Sequence, residues 1–320
     1  MCEGVARFLG ARMIGNMDHS QLSRRELLLS VATLAATSAL SGCAGVLPST
    51  TTVRGPQLWR VARGAGEVVL FGFGDARDES WFSSPLQSVF VGADELWLET
   101  AGQQSQSRPS TESLARITQA SNLEGSNLFD VIDPHLVAPL RARLAELGVA
   151  EETVRNLKPW RVFYAINGAW WQMHPPAAPV MPVDAELERR ARSRAMPIHY
   201  EFPSYVEFAE FMGGMSIEAQ SEYVAWLLAT QDDRAAGRTG DPYAWIRGEQ
   251  PQDALARMAR FPKLFEVMQG QRNRLWADRI GQLLDSGTRA LVAVGQLHVM
   301  GDSGIPSLLR MRGESIRPLT

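Results

Sequence analysis

The chain has 320 residues, of which 45% are hydrophobic and 21% are charged, and its formal net charge is −3. This composition is that of an ordinary globular protein, with enough residues for one large domain or two small ones. A protein that binds nucleic acid generally presents a basic face, and this chain has no long basic stretch. We therefore expect no nucleic-acid partner.

The first 43 residues have the organisation of a bacterial export signal. Arg24 and Arg25 form a twin arginine, a mostly apolar run follows over residues 27–40, and "LSGC" ends at Cys43. The run is shorter than the about 20 apolar residues that span a bilayer, and it suits a signal-peptide core. Small residues before a cysteine resemble a lipobox, and the arginine pair resembles the twin-arginine export signature. An uncleaved anchor is the alternative interpretation, and Met17 is an alternative start.

These features divide the chain into a signal peptide over residues 1–43, a flexible tether over 44–56 and a folded domain over 57–320. Cys43 is then the lipidated first residue of the mature protein. We expect export by the twin-arginine route and anchoring at the periplasmic face of the outer membrane. Cys2 is the only other cysteine, so the mature domain has no disulfide and depends on its hydrophobic core.

Short apolar runs predict the strands. Regular structure should begin near "QLWRV", and "GEVVLFGFGD" over residues 66–75 is a strand candidate. "ADELWLE" over residues 93–99 and "MPIHYEF" over 196–202 are two more. The last predicted strand covers residues 289–294.

Apolar residues at helical spacing predict helices between these strands. The predicted helices cover residues 136–147, 204–212, 216–230, 253–269 and 276–286. Gly148 and Gly287 are candidate C-terminal caps. "PWRVFYAING" over residues 159–168 fits a helix or a strand, and the pattern does not decide between them. Strands and helices alternate at both ends of the chain. We therefore expect an α/β fold with a mixed or largely parallel sheet flanked by helices, and a helical insertion in the middle.

Polar residues close four of the predicted strands, namely Asp75, Glu99, Glu201 and His298. Open α/β sheets bind ligands beyond the carboxyl ends of their strands, and these side chains can bind metals or transfer protons. Other interpretations stay open for three of them. Asp75 fits a local turn, Glu99 fits an ion pair with an arginine, and His298 fits a hydrogen-bonded core residue.

The stretch "QRNRLWADRI" adds two further candidates. Arg272 precedes Trp276 by four residues, so both lie on one helix face, and a charge on that apolar face needs a carboxylate partner. Asn273 fits a helix N-cap and a site residue equally well. The chain has no H-E-x-x-H and no G-x-S-x-G, which argues against a zincin and an α/β-hydrolase.

Five stretches carry a resemblance to a known family. "LWRVARGAGEVVLFGFGD", "ADELWLE", "PVDAEL", "QRNRLWADRIGQLL" and "LVAVGQLHVMGDSGIPSLLRMRG" resemble the TraB/GumN family, which includes the Tiki-type metalloproteases. That family is marked by two G-x-x-H motifs and by a glutamate in a strand like "ELWLE". By position, the second motif covers residues 295–298 and the glutamate is Glu99. The first motif departs from the family pattern, because Asp75 stands where the family has histidine.

The resemblance implies a metal-dependent, peptidase-like hydrolase of the cell envelope that acts on a peptide or protein. The implied cofactor is a divalent metal such as manganese or cobalt, and an aspartate oxygen is an acceptable ligand for manganese. The implied site comprises the metal ligands Asp75, Glu99 and His298, the catalytic residues Glu99, Arg272 and Asn273, and the further candidates Gly72, Glu201 and Gly295. The alternative is a non-catalytic envelope lipoprotein that binds a ligand in the same cleft.

Overall fold

The computed structural model describes residues 55–101, 109–176 and 178–319. The expected export signal, its Cys43 and most of the expected tether lie outside the described residues. Within the described residues, no helix combines the length and the apolar character that a membrane crossing requires.

A six-stranded mixed sheet forms the centre of the fold. Its strands are β1 (Leu58–Arg63), β2 (Gly66–Phe73), β3 (Glu95–Thr100), β4 (Ile198–Phe202), β5 (Arg289–Gly295) and β6 (Ile316–Leu319). They lie in the order β4-β3-β5-β2-β1-β6. Strands β4, β3, β5 and β2 are parallel to one another, whereas β1 is antiparallel to both β2 and β6. This arrangement confirms the predicted α/β fold.

Residues 289–294 form a strand as predicted, within β5, but the prediction that it is the last strand is wrong, because β6 follows it. Strand β6 has only four residues and includes Pro318. Proline lacks a backbone donor and is tolerated where a strand pairs on one side only, as β6 does with β1. A short edge strand that contains proline has little of the apolar signal by which a strand is recognised.

Helices cover both faces of the sheet and fill the middle of the chain. They are α1 (Ser84–Gly92), α2 (Thr111–Ser121), α3 (Leu128–Val131), α4 (Pro134–Glu146), α5 (Glu151–Val154), α6 (Pro159–Met173), α7 (Val183–Ser193), α8 (Tyr205–Gly214), α9 (Ile217–Ala235), α10 (Gln252–Ala259), α11 (Pro262–Phe265), α12 (Arg272–Asp285) and α13 (Ile305–Met311). Gly148 and Gly287 follow α4 and α12 with φ of +65° and +74°. Both glycines therefore have the left-handed conformation expected of helix-terminating residues.

Strand β2 has no polar side chain from Val68 to Phe73, in keeping with the cover on both of its faces. Val69 and Phe71 pack with the helices α1 and α7 on one face of the sheet. Val68 and Leu70 pack with the helices α12 and α13 on the other face. The sheet is therefore the middle layer of a three-layer structure, and its strand ends are the places where the chain leaves that core.

The helical insertion has a core of its own. Residues 159–168, whose pattern did not decide between helix and strand, belong to α6. Trp160, Phe163 and Ile166 of this helix are buried against α4, α8 and α9. The three-residue spacing of these side chains keeps them on neighbouring parts of one helix face.

The predicted continuous helix over residues 253–269 is wrong. Helix α10 ends at Ala259, and α11 begins at Pro262. Proline has no backbone N–H and clashes with the preceding turn, so it starts a new helix more readily than it continues one. A π-helical turn, Glu266–Gln271, then joins α11 to α12.

Candidate functional site

The four parallel strands bring the polar strand-end residues to one edge of the sheet. Glu99 lies in β3, Glu201 lies in β4, and Asp75 follows β2 by two residues. His298 lies in the single 3-10 turn that follows β5. Because these strands run in the same direction, all four residues lie at the carboxyl edge where open α/β sheets bind ligands.

Arg272 lies between two of these carboxylates. Its Nη2 donates to Glu99 Oε2 at 2.5 Å and to Glu201 Oε2 at 2.6 Å, and its Nε donates to Glu201 Oε1 at 2.7 Å. Only 4% of Arg272 is exposed. Trp276 Nε1 also donates to Glu201 Oε2, at 3.0 Å. The carboxylate partner that the helix pattern required is therefore present twice, and the pairing of Glu99 with an arginine is realised.

A π-helical turn leads directly into Arg272 and Asn273. Helix α12 continues directly from that turn, so Asn273 is the second residue of a continuing helix. The interpretation of Asn273 as an N-cap is therefore wrong, because no free helix end exists there. Single π-helical turns occur frequently at functional sites.

Asn273 instead holds His298. Asn273 Nδ2 donates to the carbonyl oxygen of Ser303 at 2.7 Å, and its Oδ1 lies 2.5 Å from His298 Nδ1. The amide oxygen is an acceptor, so His298 Nδ1 carries the hydrogen. The other ring nitrogen, Nε2, then faces Glu99 Oε2 across 3.5 Å. His298 is fully buried and does not line the cleft described below.

Glu99 is the residue that these contacts share. Its Oε1 accepts a hydrogen bond from the backbone N–H of Gly295 at 2.5 Å, while its Oε2 faces Arg272 and His298. Burial opposes ionisation, but the charges of His298 and Arg272 and these hydrogen bonds overcome it, so the pKa of Glu99 falls to about 2. Glu99 is therefore a fixed anion at neutral pH and a weak base.

The charge of Arg272 is fixed as well. Burial disfavours a charged guanidinium, but the negative charges of Glu201 and Glu99 more than offset that penalty. The pKa of Arg272 is therefore raised above its already high ordinary value. Arg272 and Glu99 therefore form an ionised group under this edge of the sheet, and Glu201 provides the second carboxylate contact of Arg272.

A small cleft of about 50 Å³ opens above this ionised group. A volume of about 10–15 Å³ of this measure holds one water molecule, so the cleft has room for a few. Its polar lining includes Asp75, Glu99, Thr100, Asp184 and Arg272. Aromatic and apolar side chains complete the wall, among them Phe73, Tyr164, Phe202, Phe208 and Met268.

Asp184 is a site candidate that the sequence analysis did not select. It lies in the first turn of α7 and is half-buried, and its Oδ1 accepts a hydrogen bond from Ala185 N at 2.8 Å. Burial, reinforced by the negative charge of Glu99, raises the pKa of Asp184 to about 6. The signal was present in "PVDAEL", one of the stretches that carry the family resemblance, but nothing local shows that its aspartate turns toward Glu99.

Two residues of the altered first motif, Gly72 and Asp75, contact neighbouring turns of the chain. A Cβ on Gly72 would lie 2.4 Å from Val299 Cγ2, so glycine allows the turn after β5 to pack on β2. The backbone oxygen of Asp75 accepts a hydrogen bond from Trp245 Nε1 at 2.8 Å. Phe73 pairs with Gly295 in the sheet, so Asp75 and His298 follow neighbouring strand ends.

The metal implied by the resemblance has no preformed group of three ligands in the part of the chain that the structure describes. Among residues 55–101, 109–176 and 178–319, no three His, Cys, Asp or Glu side chains are grouped so as to hold a metal ion. Glu99 Oε2, the oxygen nearest His298, already accepts a hydrogen bond from the permanently charged Arg272. The expected set of Asp75, Glu99 and His298 therefore stays a prediction, and no step proposed below passes through a metal.

Comparison with known proteins places the chain in a family. Residues 57–318 match the model of the TraB/PrgY/gumN family. The match covers nearly the whole of the predicted domain, so the chain belongs to this family, which confirms the resemblance. No curated protein and no solved structure gives a significant match.

Proposed function

We propose that this chain is a hydrolase that cleaves an amide bond of a peptide substrate at the cleft above Glu99. One observation carries the proposal: two carboxyl groups whose pKa values are shifted in opposite directions line the same small cavity. The pKa of Glu99 lies at about 2 and that of Asp184 at about 6. Carboxyl groups whose environments separate their pKa values in this way are typical of acid–base sites.

Asp184 is the proton-transfer group of this proposal. With a pKa of about 6, it is mostly ionised at neutral pH and accepts a proton near its working pH. It takes a proton from a water molecule in the cleft while the water oxygen bonds to the carbonyl carbon of the substrate. As the C–N bond breaks, the same proton passes to the leaving nitrogen.

The charges below the cleft are held in fixed positions by four residues, Glu99, Arg272, Asn273 and His298. Glu99 stays ionised and raises the pKa of Asp184 through its negative charge. Arg272 lines the cleft and holds Glu99 in place through its hydrogen bond to Glu99 Oε2. Asn273 orients His298, whose Nε2 faces the same carboxylate oxygen. These contacts keep the charges in position without reorganisation during the reaction.

The proposal places the enzyme in the bacterial envelope. The twin arginine and the "LSGC" stretch support export followed by lipid anchoring at Cys43. The substrate is then a peptide or protein of that compartment, reached from the periplasmic face of the outer membrane.

Peptide hydrolysis by purified protein tests the proposal. The full chain and the variants Asp184→Asn and Asp130→Asn are incubated with a defined peptide library, and products are identified by mass spectrometry. Asp130 is a matched control, because it lies in the first turn of another helix and is exposed. We expect cleavage by the wild type and by Asp130→Asn, and a loss of at least about 100-fold in Asp184→Asn, the scale of general acid–base catalysis.

Two outcomes would contradict the proposal. Equal cleavage by Asp184→Asn would remove Asp184 from the reaction. A wild type that cleaves nothing but still binds peptides would favour the alternative function, a non-catalytic envelope lipoprotein that uses the same cleft.

The divalent metal implied by the resemblance is a separate proposal with its own test. Metal analysis of the purified wild type, Asp75→Ala and His298→Ala measures bound manganese and cobalt. Stoichiometric metal in the wild type that both substitutions remove would support the metal site. Wild-type hydrolysis that proceeds without bound metal would contradict it.

A further inference from the structure

A second, larger cavity adjoins the cleft at the same edge of the sheet. It has a volume of about 660 Å³, whereas the cleft has about 50 Å³. Its lining includes Trp171, Trp226, Tyr243, Ala254, Gln269 and Gln296. We call this cavity the insertion groove, because helices and loops of the helical insertion form most of its wall. Its volume lies within the about 300–1,000 Å³ typical of ligand sites, so the groove has room for a substrate segment that the cleft lacks.

The cleft and the insertion groove share two wall residues, Gly74 and Asp75. Trp245 and Gln296 pack directly against Gly74 in this shared wall. A Cβ on Gly74 would lie 2.9 Å from ring atoms of Trp245 and 3.1 Å from Gln296 Nε2. Trp245 is held in place by its hydrogen bond to the backbone oxygen of Asp75. A chain bound in the groove therefore passes Gly74 and Asp75 to reach the cleft.

Two buried acceptor atoms in the groove wall have no donor among the described residues. They are Oε1 of Gln269 and Oε1 of Gln296. Gln269 is only 2% exposed, and its Nε2 makes only a weak contact with Met258 Sδ, at 3.8 Å. Leaving a buried acceptor unpaired is unfavourable, and buried polar groups in proteins almost always have partners. A ligand with N–H donors in the groove would supply them.

We propose that the insertion groove binds an extended segment of a polypeptide substrate, next to the bond that is cleaved in the adjoining cleft. The inference rests on the proposed hydrolase function and adds the site that holds the substrate. An extended peptide carries backbone N–H groups along its length, which the two glutamine oxygens accept. Its side chains pack on the half-buried rings of Trp171, Trp226 and Tyr243.

Binding and cleavage are measured separately to test this inference. Binding of a pool of fluorescein-labelled dodecapeptides to the full chain is followed by anisotropy, and cleavage is followed by chromatography. Ala254→Arg fills the groove, and Ala256→Arg is its control two residues away on α10, exposed and outside the groove. Gln269→Leu removes one unpaired acceptor, and Gln271→Leu is its exposed control in the same π-helical turn.

We expect Ala254→Arg and Gln269→Leu to weaken peptide binding at least about tenfold, which corresponds to about 1.4 kcal/mol, and to raise KM if cleavage occurs. The control variants should bind as the wild type does. Peptide binding without cleavage would support the groove and contradict the hydrolase proposal. Unchanged binding in both groove variants would overturn the groove and leave the hydrolase proposal standing. Binding of a chitin oligosaccharide in place of the peptides would overturn it in favour of a sugar ligand, and failure of the pool to bind at about 1 mM would overturn it outright.

Discussion

Arg272 and Glu99 form a buried ion pair that joins helix α12 to strand β3, with Nη2 and Oε2 separated by 2.5 Å. The two residues are 173 positions apart in the chain, and both are almost fully buried. Glu201 supplies the second carboxylate of Arg272, and Trp276 supplies a further donor to Glu201. This pair makes the floor of the candidate site and links the first and last parts of the fold.

Replacing Arg272 should destabilise the protein strongly. Arg272→Met leaves Glu99 and Glu201 buried with no cation between them, and breaking a buried pair costs about 3–5 kcal/mol. Arg274→Met is the control, since Arg274 lies on the same helix and its pair with Glu266 is half-exposed. Such surface pairs contribute about 0–1 kcal/mol. Urea unfolding measures both variants, and equal losses would show that Arg272 has no special role in stability.

The pH dependence of hydrolysis should follow Asp184. Its pKa is raised to about 6, so its basic form is lost as the pH falls through 6. We expect kcat/KM for peptide cleavage to rise with pH between about 5 and 7 and then to level off. A profile with no inflection in that range would contradict the assignment of Asp184 as the proton acceptor.

Asp184 should also lower the stability of the wild type at high pH. A carboxyl group whose pKa is higher in the folded state than the usual 3.8 binds its proton more tightly when folded. Its contribution to stability is complete below pH 4 and is lost as the pH rises through 6. Asp184→Asn removes this penalty, so the variant should gain about 1–3 kcal/mol on the wild type between pH 4 and pH 8. Parallel stability curves for Asp184→Asn and the wild type would contradict the raised pKa.

Glu99 should have the opposite effect at acidic pH. Its pKa is lowered from 4.5 to about 2 in the folded protein, so its contribution to stability is present above pH 4.5 and is lost as the pH falls toward 2. Glu99→Gln should be less stable than the wild type at pH 6, and the difference should shrink at pH 3. Thermal unfolding at the two pH values measures this, and a difference independent of pH would contradict the low pKa.

Asp75→His restores the family's G-x-x-H pattern after β2. Asp75 and His298 follow the ends of neighbouring, directly paired strands, so the substitution would provide one imidazole after each of these two strands. Imidazole suits transition metals better than carboxylate does. We expect the variant to bind cobalt at least several-fold more tightly than the wild type, as measured by calorimetry. Unchanged affinity, or equal affinity in Asp75→His combined with His298→Ala, would argue against a metal role for this edge.

Cys43 is expected to be the first residue of the mature protein. Mass spectrometry of protein from the membrane fraction should detect a lipid-modified N-terminal peptide that starts at Cys43. Cys43→Ser is the control, and this variant should not be lipidated. An intact peptide that spans Gly42 and Cys43 in most wild-type molecules would contradict the prediction.

The sequence by itself determined the α/β class, four of the six strand positions and the edge at which the polar residues meet. These features depend on local patterns. A charge-free run such as residues 290–294 becomes a strand that is buried on both faces, and the polar residues that close such parallel strands lie at the carboxyl edge of the sheet. The position of Arg272 beside Trp276 also showed that a buried charge needed a partner, and the structure supplies two in Glu99 and Glu201.

Only the tertiary structure decided which of these residues meet and in which state of ionisation. The pKa values of Glu99 and Asp184 depend on burial and on charges that come from β3, α7, α12 and the turn after β5, which are far apart in the chain. The π-helical turn that precedes Arg272 and Asn273 was not predicted, because residues 253–269 have the apolar spacing of a regular helix. Edge strand β6 was not predicted, because a four-residue strand that contains proline has little apolar pattern. The break at Pro262 was not predicted, because the apolar spacing continues across this proline. Desolvation and long-range pairing depend on how distant segments of the chain pack together, and a local sequence pattern does not show that packing.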